Sequence, residues 1–377
     1  MRWRRALTVA GLGLAGTLLA AAGAVCLTSG CSTLGYYAQA VGGHLEIVNR
    51  AQPVADLVAD PTVPERTRER LLLSQQMRDF AVRELKLPDN RSYRRYAALG
   101  RSSVVWNVVA APELSLQLKT WCFPVVGCVG YRGYYDEAAA RALATELKAA
   151  GWEVDVYGVP AYSTLGKTEW LGGDPLLDTF VFWPELELAR LIFHELAHQV
   201  VYANDDTEFN ESFATAVERI GGRLWLASRP PGSGQPQAQE RVAATEARRA
   251  DFRRLSFATR DALKAIYTGP GSDADKRVAK AAAMAELRGR YAALKTEAAT
   301  RGGPWAGFAG YDPWFERANN ASIAVLAAYN DLVPAFEALW QREGRDFDRF
   351  YAAVQGLADL PKAERRARLA AIAPPPN

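Results

Sequence analysis

Two histidines and a glutamate within five residues are the most chemically pointed feature of this chain. His194-Glu195-Leu196-Ala197-His198 has the H-E-x-x-H spacing. Imidazoles at i and i+4 lie one above the other on a helix face, so both can reach a single metal ion. With a carboxylate added, the ligand types suit zinc better than magnesium or calcium. Glu195 stands one residue from the first ligand, beside the metal rather than on it. It can take the proton of a water that zinc has acidified and later hand it to a leaving amine. The chain has three histidines, and two are spent here. An apolar helix is otherwise a poor place for them, because unpaired buried polar groups cost about 1–3 kcal/mol each.

A catalytic zinc needs a third protein ligand. The H-x-x-G-x-x-H extension is absent, since Val201 and Asn204 occupy its glycine and histidine positions. The following helix offers Glu208, Glu211 and Glu218. Asn210–Gly221, NESFATAVERIG, resembles the N-E-G-F-A segment and its continuation in gluzincin aminopeptidases of the M1 type. That resemblance implies Glu211 as the third zinc ligand and matches Glu218 to a later glutamate of the same helix. Twelve residues separate His198 from Glu211, fewer than is usual in that family. Glu218, after nineteen, fits a thermolysin-like interval by counting. No G-x-M-E-N segment, with which M1 enzymes capture a substrate's amino terminus, is found.

Most of the chain also resembles a family of bacterial lipoproteins known as predicted aminopeptidases. The likeness rests on SGCSTLGYYAQAVGGHL, TWCFPVVGCVGYRGYYDE, HELAHQ, FNESFAT and the helix from Asn319 to Phe336. It implies an exported zinc peptidase acting on peptide or protein substrates. The competing class is a non-catalytic or chaperone-like zinc-binding lipoprotein of envelope assembly. That protein would need the three ligands but not Glu195.

Export is also legible directly. MRWRR is followed by an uncharged run, Ala6–Gly30, that ends at Leu27-Thr28-Ser29-Gly30-Cys31. This is the layout of a signal peptide over 1–30 with a lipidated Cys31. An uncleaved signal anchor is the alternative. Ser32 after the cysteine favours the outer membrane, with the body of the protein facing the periplasm and the lipid at Cys31 as its membrane partner. Without Arg2, Arg4 and Arg5 the chain has 42 basic and 42 acidic residues, and nothing suggests nucleic-acid binding. Cys122 and Cys128, an isolated pair in an oxidising compartment, are expected to form a disulfide.

The elements that must position the H-E-x-x-H residues are expected to be mixed in the first half and helical in the second. Helical spacing covers 36–59 and 63–86, and strand-like runs cover Ser102–Ala110, Leu114–Trp121 and Trp152–Val159. A helix is expected over 136–150. Pro184 should open the apolar H-E-x-x-H helix, 184–203, with Glu185 and Glu187 in its first turn. A second helix over 208–227 follows Thr207. PPGSGQPQAQ, 230–239, reads as a linker. Charged helices over 240–267 and 274–300 read as a solvent-exposed hairpin, followed by a helix over 318–341 and two short ones.

The fold class expected is α+β, a zincin-like (gluzincin) domain with a small mixed sheet and a mainly helical C-terminal half. Its parts are a helical region over 31–100, a catalytic core over 101–228 and a helical region over 229–377. Tyr131, Tyr134, Tyr135 and Tyr162 form the pool for stabilising an oxyanion. His44 reads as structural, and Asn319 and Asn320 as helix caps.

Overall fold

The computed structural model describes residues 31–123, 127–161, 164, 172–204, 206–229, 235–327 and 332–373. Residues 1–30 and Tyr162 therefore lie outside the described residues, as does the side chain of Cys31. Among the described residues no helix is long and apolar enough to cross a membrane.

The architecture is α+β, with short strands in the first half and helices dominating the rest. The chain opens with α1 (Cys31–Arg50), α2 (Val54–Ala59) and α3 (Glu65–Arg83). A break at Ala51–Pro53, where β1 (Gln52–Pro53) forms, divides the helical run expected over 36–59. β1 pairs antiparallel with β2 (Arg95–Ala97), and β2 pairs parallel with β8 (Leu176–Leu177). These strands of two or three residues leave no periodicity to read in a sequence.

The longer sheet is built on β3 (Val105–Pro112), flanked antiparallel by β6 (Arg132–Tyr134) and β7 (Trp152–Val159). Its alternation explains its burial. Val108 and Ala110 face α4 (Glu137–Ala149) and join Ala140, Ala144 and Leu147. Val109 and Ala111 point the other way and meet Ala321 of α10 (Asn320–Ala327). β4 (Trp121–Phe123) and β5 (Gly127–Val129) form a hairpin in which Cys122 and Cys128 are paired partners, joined by a disulfide.

Leu114–Lys119 is not a strand, although its residues alternate. Asn320, fully buried, donates from Nδ2 to the carbonyls of Pro112 (2.9 Å), Glu113 (2.8 Å) and Ser115 (3.1 Å). Just past the end of β3, the Glu113 and Ser115 carbonyls are thereby turned onto one amide instead of towards a neighbouring strand. Asn320 is thus a loop anchor, while Asn319 does cap, accepting from the Ser322 backbone at 3.1 Å.

α5 (Glu185–Ala197) carries the H-E-x-x-H residues, with Pro184 flanking it and His198 closing it. It ends short of 203 because the chain turns at 198–200 towards α6 (Thr207–Ser228). Asp206, rather than Thr207, is the N-cap of α6 and accepts from Phe209. The contacts between α5 and α6 run antiparallel. Glu211 meets His198 and His194, Glu218 meets His194, and Gly222 lies against Arg190 and Leu186. A Cβ on Gly221 would stand 2.6 Å from Leu85 and 2.9 Å from Phe193, both fully buried.

α7 (Gln235–Thr268) absorbs half of the expected linker, since Gln235–Gln239 are helical and Pro236 falls in the first turn, where proline is tolerated. α7 and α8 (Asp273–Arg301) are not simply a solvated hairpin. Leu255, Leu263, Met284 and Leu287 share a second core with Trp305 and with Phe315 of α9 (Asp312–Arg317). Beyond α10 come α11 (Val333–Arg342), α12 (Phe347–Ala358) and α13 (Lys362–Ile372). Pro334 in the first turn of α11 makes it a separate element within the stretch expected as one helix. The main core draws Ile47, Phe193, Phe213 and Phe336 into one cluster, so all three expected regions contribute to it.

Gly221→Val is expected to lower stability by about 1–3 kcal/mol through overpacking. The measurement is the urea midpoint at constant m-value. An unchanged midpoint would show that α5 and α6 can part there without cost.

Candidate metal centre

The site is built from the C-terminal end of α5 and the first half of α6. His194 Nε2 and His198 Nε2 are 3.2 Å apart. Glu211 reaches His194 Nε2 at 3.4 Å and His198 Nε2 at 3.8 Å. One ligand atom from each residue falls within a 4.8 Å cluster. The set fits zinc. Four ligands at about 2.0–2.1 Å in a tetrahedron stand about 3.3 Å from one another, and the three separations here lie around that value. Two imidazole nitrogens and a carboxylate are also the donor types of open zinc sites.

Glu218 takes a different role from Glu211. Its Oε2 lies 2.9 Å from His194 Nδ1, on the far side of the ring from the cluster. A carboxylate there holds the ring orientation and makes the opposite nitrogen a better donor to a metal. Glu218 is seven residues on from Glu211, two helical turns along the same face. One helix therefore supplies both the carboxylate of the cluster and the group that orients one of its imidazoles.

Loop contacts hold this end of α5. Asn210, buried, donates to the Ala203 carbonyl at 2.7 Å and accepts from its N–H at 2.8 Å. This two-point clamp holds Ala203 back against α6. Gln199 accepts from Asn90 at 2.6 Å and donates to Ser92 at 3.2 Å. Arg78, fully buried, supports that loop through the Ser92, Pro88 and Asn90 carbonyls.

Electrostatics divide the four central groups. Burial presses the His194 pKa down, but hydrogen bonds to Glu211 and Glu218 outweigh it and raise it well above 6.5. Burial drives His198 down to about 4, with the Glu211 charge opposing. Burial would raise Glu211, yet the two histidines hold it below 4.5. Burial lifts Glu195 to about 7, against the pull of His194 and with Glu211 and Asp174 adding to the rise. Among the described residues no donor is hydrogen-bonded to Glu195, so its carboxylate is uncommitted.

Of the tyrosine pool, Tyr131 is the member whose pKa is pushed up by the Glu211 charge as well as by burial. Tyr134 packs edge-on against Tyr36 at 5.4 Å, and Tyr135 lies against Gly43. His44 sits part-buried on α1, its pKa lowered by burial against the pull of Asp174. Sequence reasoning missed Tyr202, whose ring is 6.5 Å from that of His198 and which also senses Glu211. Its place four residues after His198 was a usable signal. The role of Glu218 could not be read without the antiparallel pairing of the helices.

The α+β chain thus gathers two imidazoles and a carboxylate into one cluster that could hold a metal ion, with Glu195 next to His194 in the sequence. A family described as "Putative aminopeptidase" matches residues 35–369, and the chain belongs to that family. No curated protein and no solved structure matches the chain.

Glu211→Ala is expected to abolish stoichiometric zinc binding. Glu218→Ala should weaken it about 10–100-fold, as loss of an orienting carboxylate does. Competition with a chromophoric chelator measures both. The reverse order would make Glu218 the ligand.

Proposed function

We propose that this protein is a zinc-dependent peptidase of gluzincin type, with an aminopeptidase-like activity on peptides or proteins. His194, His198 and Glu211 would hold the zinc, and Glu195 would be the general base. The observation that carries this reading is the meeting of three ligand atoms within 4.8 Å next to a carboxylate that makes no hydrogen bond. Membership of the aminopeptidase family supports the reaction class. We also propose that the protein is exported as a lipoprotein acylated on Cys31 and faces the periplasm from the outer membrane. The signal-like 1–30 segment and the disulfide-paired Cys122 and Cys128 support that placement.

When bound, zinc polarises a scissile carbonyl and lowers the pKa of water to about 7. The chain's own groups do the rest. Glu195 receives the proton from the attacking water and delivers it to the leaving nitrogen, a contribution of about 10²–10⁴ in rate. Its lack of a hydrogen-bond partner leaves both oxygens available for those transfers. Glu218 keeps His194 Nδ1 occupied, so Nε2 faces the cluster. Tyr131 and Tyr202 both sense the Glu211 charge, and a phenol of this pair could donate to negative charge developing on the carbonyl oxygen.

Glu195→Gln is expected to cut kcat by about 10²–10⁴ while zinc content stays near one per chain. Peptide turnover and elemental analysis of the same preparation provide the check. Retained turnover would move the base elsewhere. Zinc binding without turnover in the wild-type chain would favour the non-catalytic lipoprotein.

A further inference from the structure

A cavity of about 230 Å³ lies between α5, α6, α7 and α10, bordered by Glu218. It therefore sits one residue away from the ligand cluster. Arg190, Arg219, Arg249 and Arg253 line it, against two acids, Glu218 and Glu246. The acids are already engaged. Glu246 is paired with Arg190 and Arg249, and Glu218 with His194. Arg249 is further held by Glu187. Arg219 and Arg253 are left over, with no ion pair or side-chain hydrogen bond among the described residues.

Phe252, Phe257 and Leu326 form the apolar part of the same wall. Burial lowers the Arg253 pKa and the neighbouring Arg219 charge lowers it further. Two part-buried guanidinium groups thus repel each other, and Glu246, the acid whose charge both sense, is already paired with Arg190 and Arg249. A planar carboxylate, which can accept two parallel N–H bonds from one guanidinium, relieves that repulsion best. The aromatic wall suits the apolar stem that carries the carboxylate.

We infer that this cavity is a subsite for a carboxylate of the substrate, either its C-terminus or an acidic side chain, bound by Arg219 and Arg253. This rests on the peptidase reading for the word substrate, but the binding can be measured without turnover. The test uses the full chain carrying Glu195→Gln, loaded with zinc, in calorimetric titrations with three short peptides. One is neutral and amidated, one has the same residues with a free C-terminus, and one is amidated with a single glutamate. Tightening of about tenfold or more is expected for at least one of the two charged peptides, and which one responds identifies the source of the carboxylate. Arg253→Gln or Arg219→Gln should erase the difference, and Arg253→Lys should restore part of it.

Equal affinity for all three peptides would overturn the subsite. So would a preference that survives both glutamine variants, since the zinc itself would then be holding the carboxylate. Inorganic phosphate, used as a competitor, should displace the charged peptide; phosphate that binds without displacing it would also overturn the subsite. Cleavage by the wild-type chain is scored separately. If no peptide is cut, the peptidase reading fails while the titrations still decide the cavity. If all are cut at equal kcat/KM and bind alike, the subsite alone fails.

Discussion

The close antiparallel contact between α5 and α6 is the constraint on which the rest of the site depends. Gly221 and Gly222 remove the side chains that would hold the helices apart, so Phe193 and Arg190 pack almost against the α6 backbone. At that separation Glu211 can reach both imidazoles and Glu218 can reach the back of one. A wider crossing would leave the two carboxylates on a helix face with nothing to bind. The Asn210 clamp on Ala203 sets the length of the turn. Together, glycines at one end and an asparagine at the other define the register. The twelve-residue interval between His198 and Glu211 is therefore no obstacle to a shared metal, because a tight turn needs fewer residues.

Charge secures the same two helices from outside. Asp206 caps α6 and is completely buried, with Arg365 at 3.0 Å and Arg366 also on its carboxylate. Arg365 is itself buried and donates to the Leu357, Ala358 and Leu360 carbonyls. A buried carboxylate left alone would be strongly unfavourable, whereas a paired one commits the elements that carry it to a single arrangement. Here the commitment joins α13, at the end of the chain, to the first turn of the helix that bears Glu211. On the other flank, Arg190 and Arg249 join α5 to α7 through Glu187 and Glu246. The site is held between the two.

What could be read in advance follows from how local each signal is. The H-E-x-x-H residues and their apolar helix were legible because their meaning lies within one helical turn. α4, β3, β7, α6 and α8 were legible for the same reason, as sustained periodicity. Glu211 became legible through resemblance rather than spacing, since counting allowed Glu218 equally well. The expectation of a strand over Leu114–Trp121 failed up to Lys119, where a distant amide, Asn320, holds the chain at the start of the stretch through the Pro112, Glu113 and Ser115 carbonyls. Nothing in the alternation of that stretch records the competitor. β2 and β8 are too short to carry a pattern at all. PPGSGQPQAQ misled differently: its first five residues lie outside the described chain, while the last five are helix because proline is tolerated in a first turn.

The reading of α7 as a solvated face failed for a reason that bears on function. Glu246, Arg249, Arg253 and Ser256 follow one another at intervals of three, four and three residues, which places them on a single stripe of the helix. Spacing of that kind is normally taken as the mark of an inward face only when the residues are apolar. A charged stripe is read as solvated because burying it costs several kcal/mol per ion unless partners are waiting. In this protein partners are waiting for half of it, in Glu187 and Arg190 of the very helix that carries His194. The other half, Arg253 with Arg219 across the gap, lines a cavity and makes no ion pair among the described residues, the nearby Glu246 being shared by Arg190 and Arg249. A chain selected only for stability has little reason to draw two guanidinium groups together there, since exposure to water would cost less. Their inward position is better explained by an anion that visits than by any contact the folded chain makes for itself.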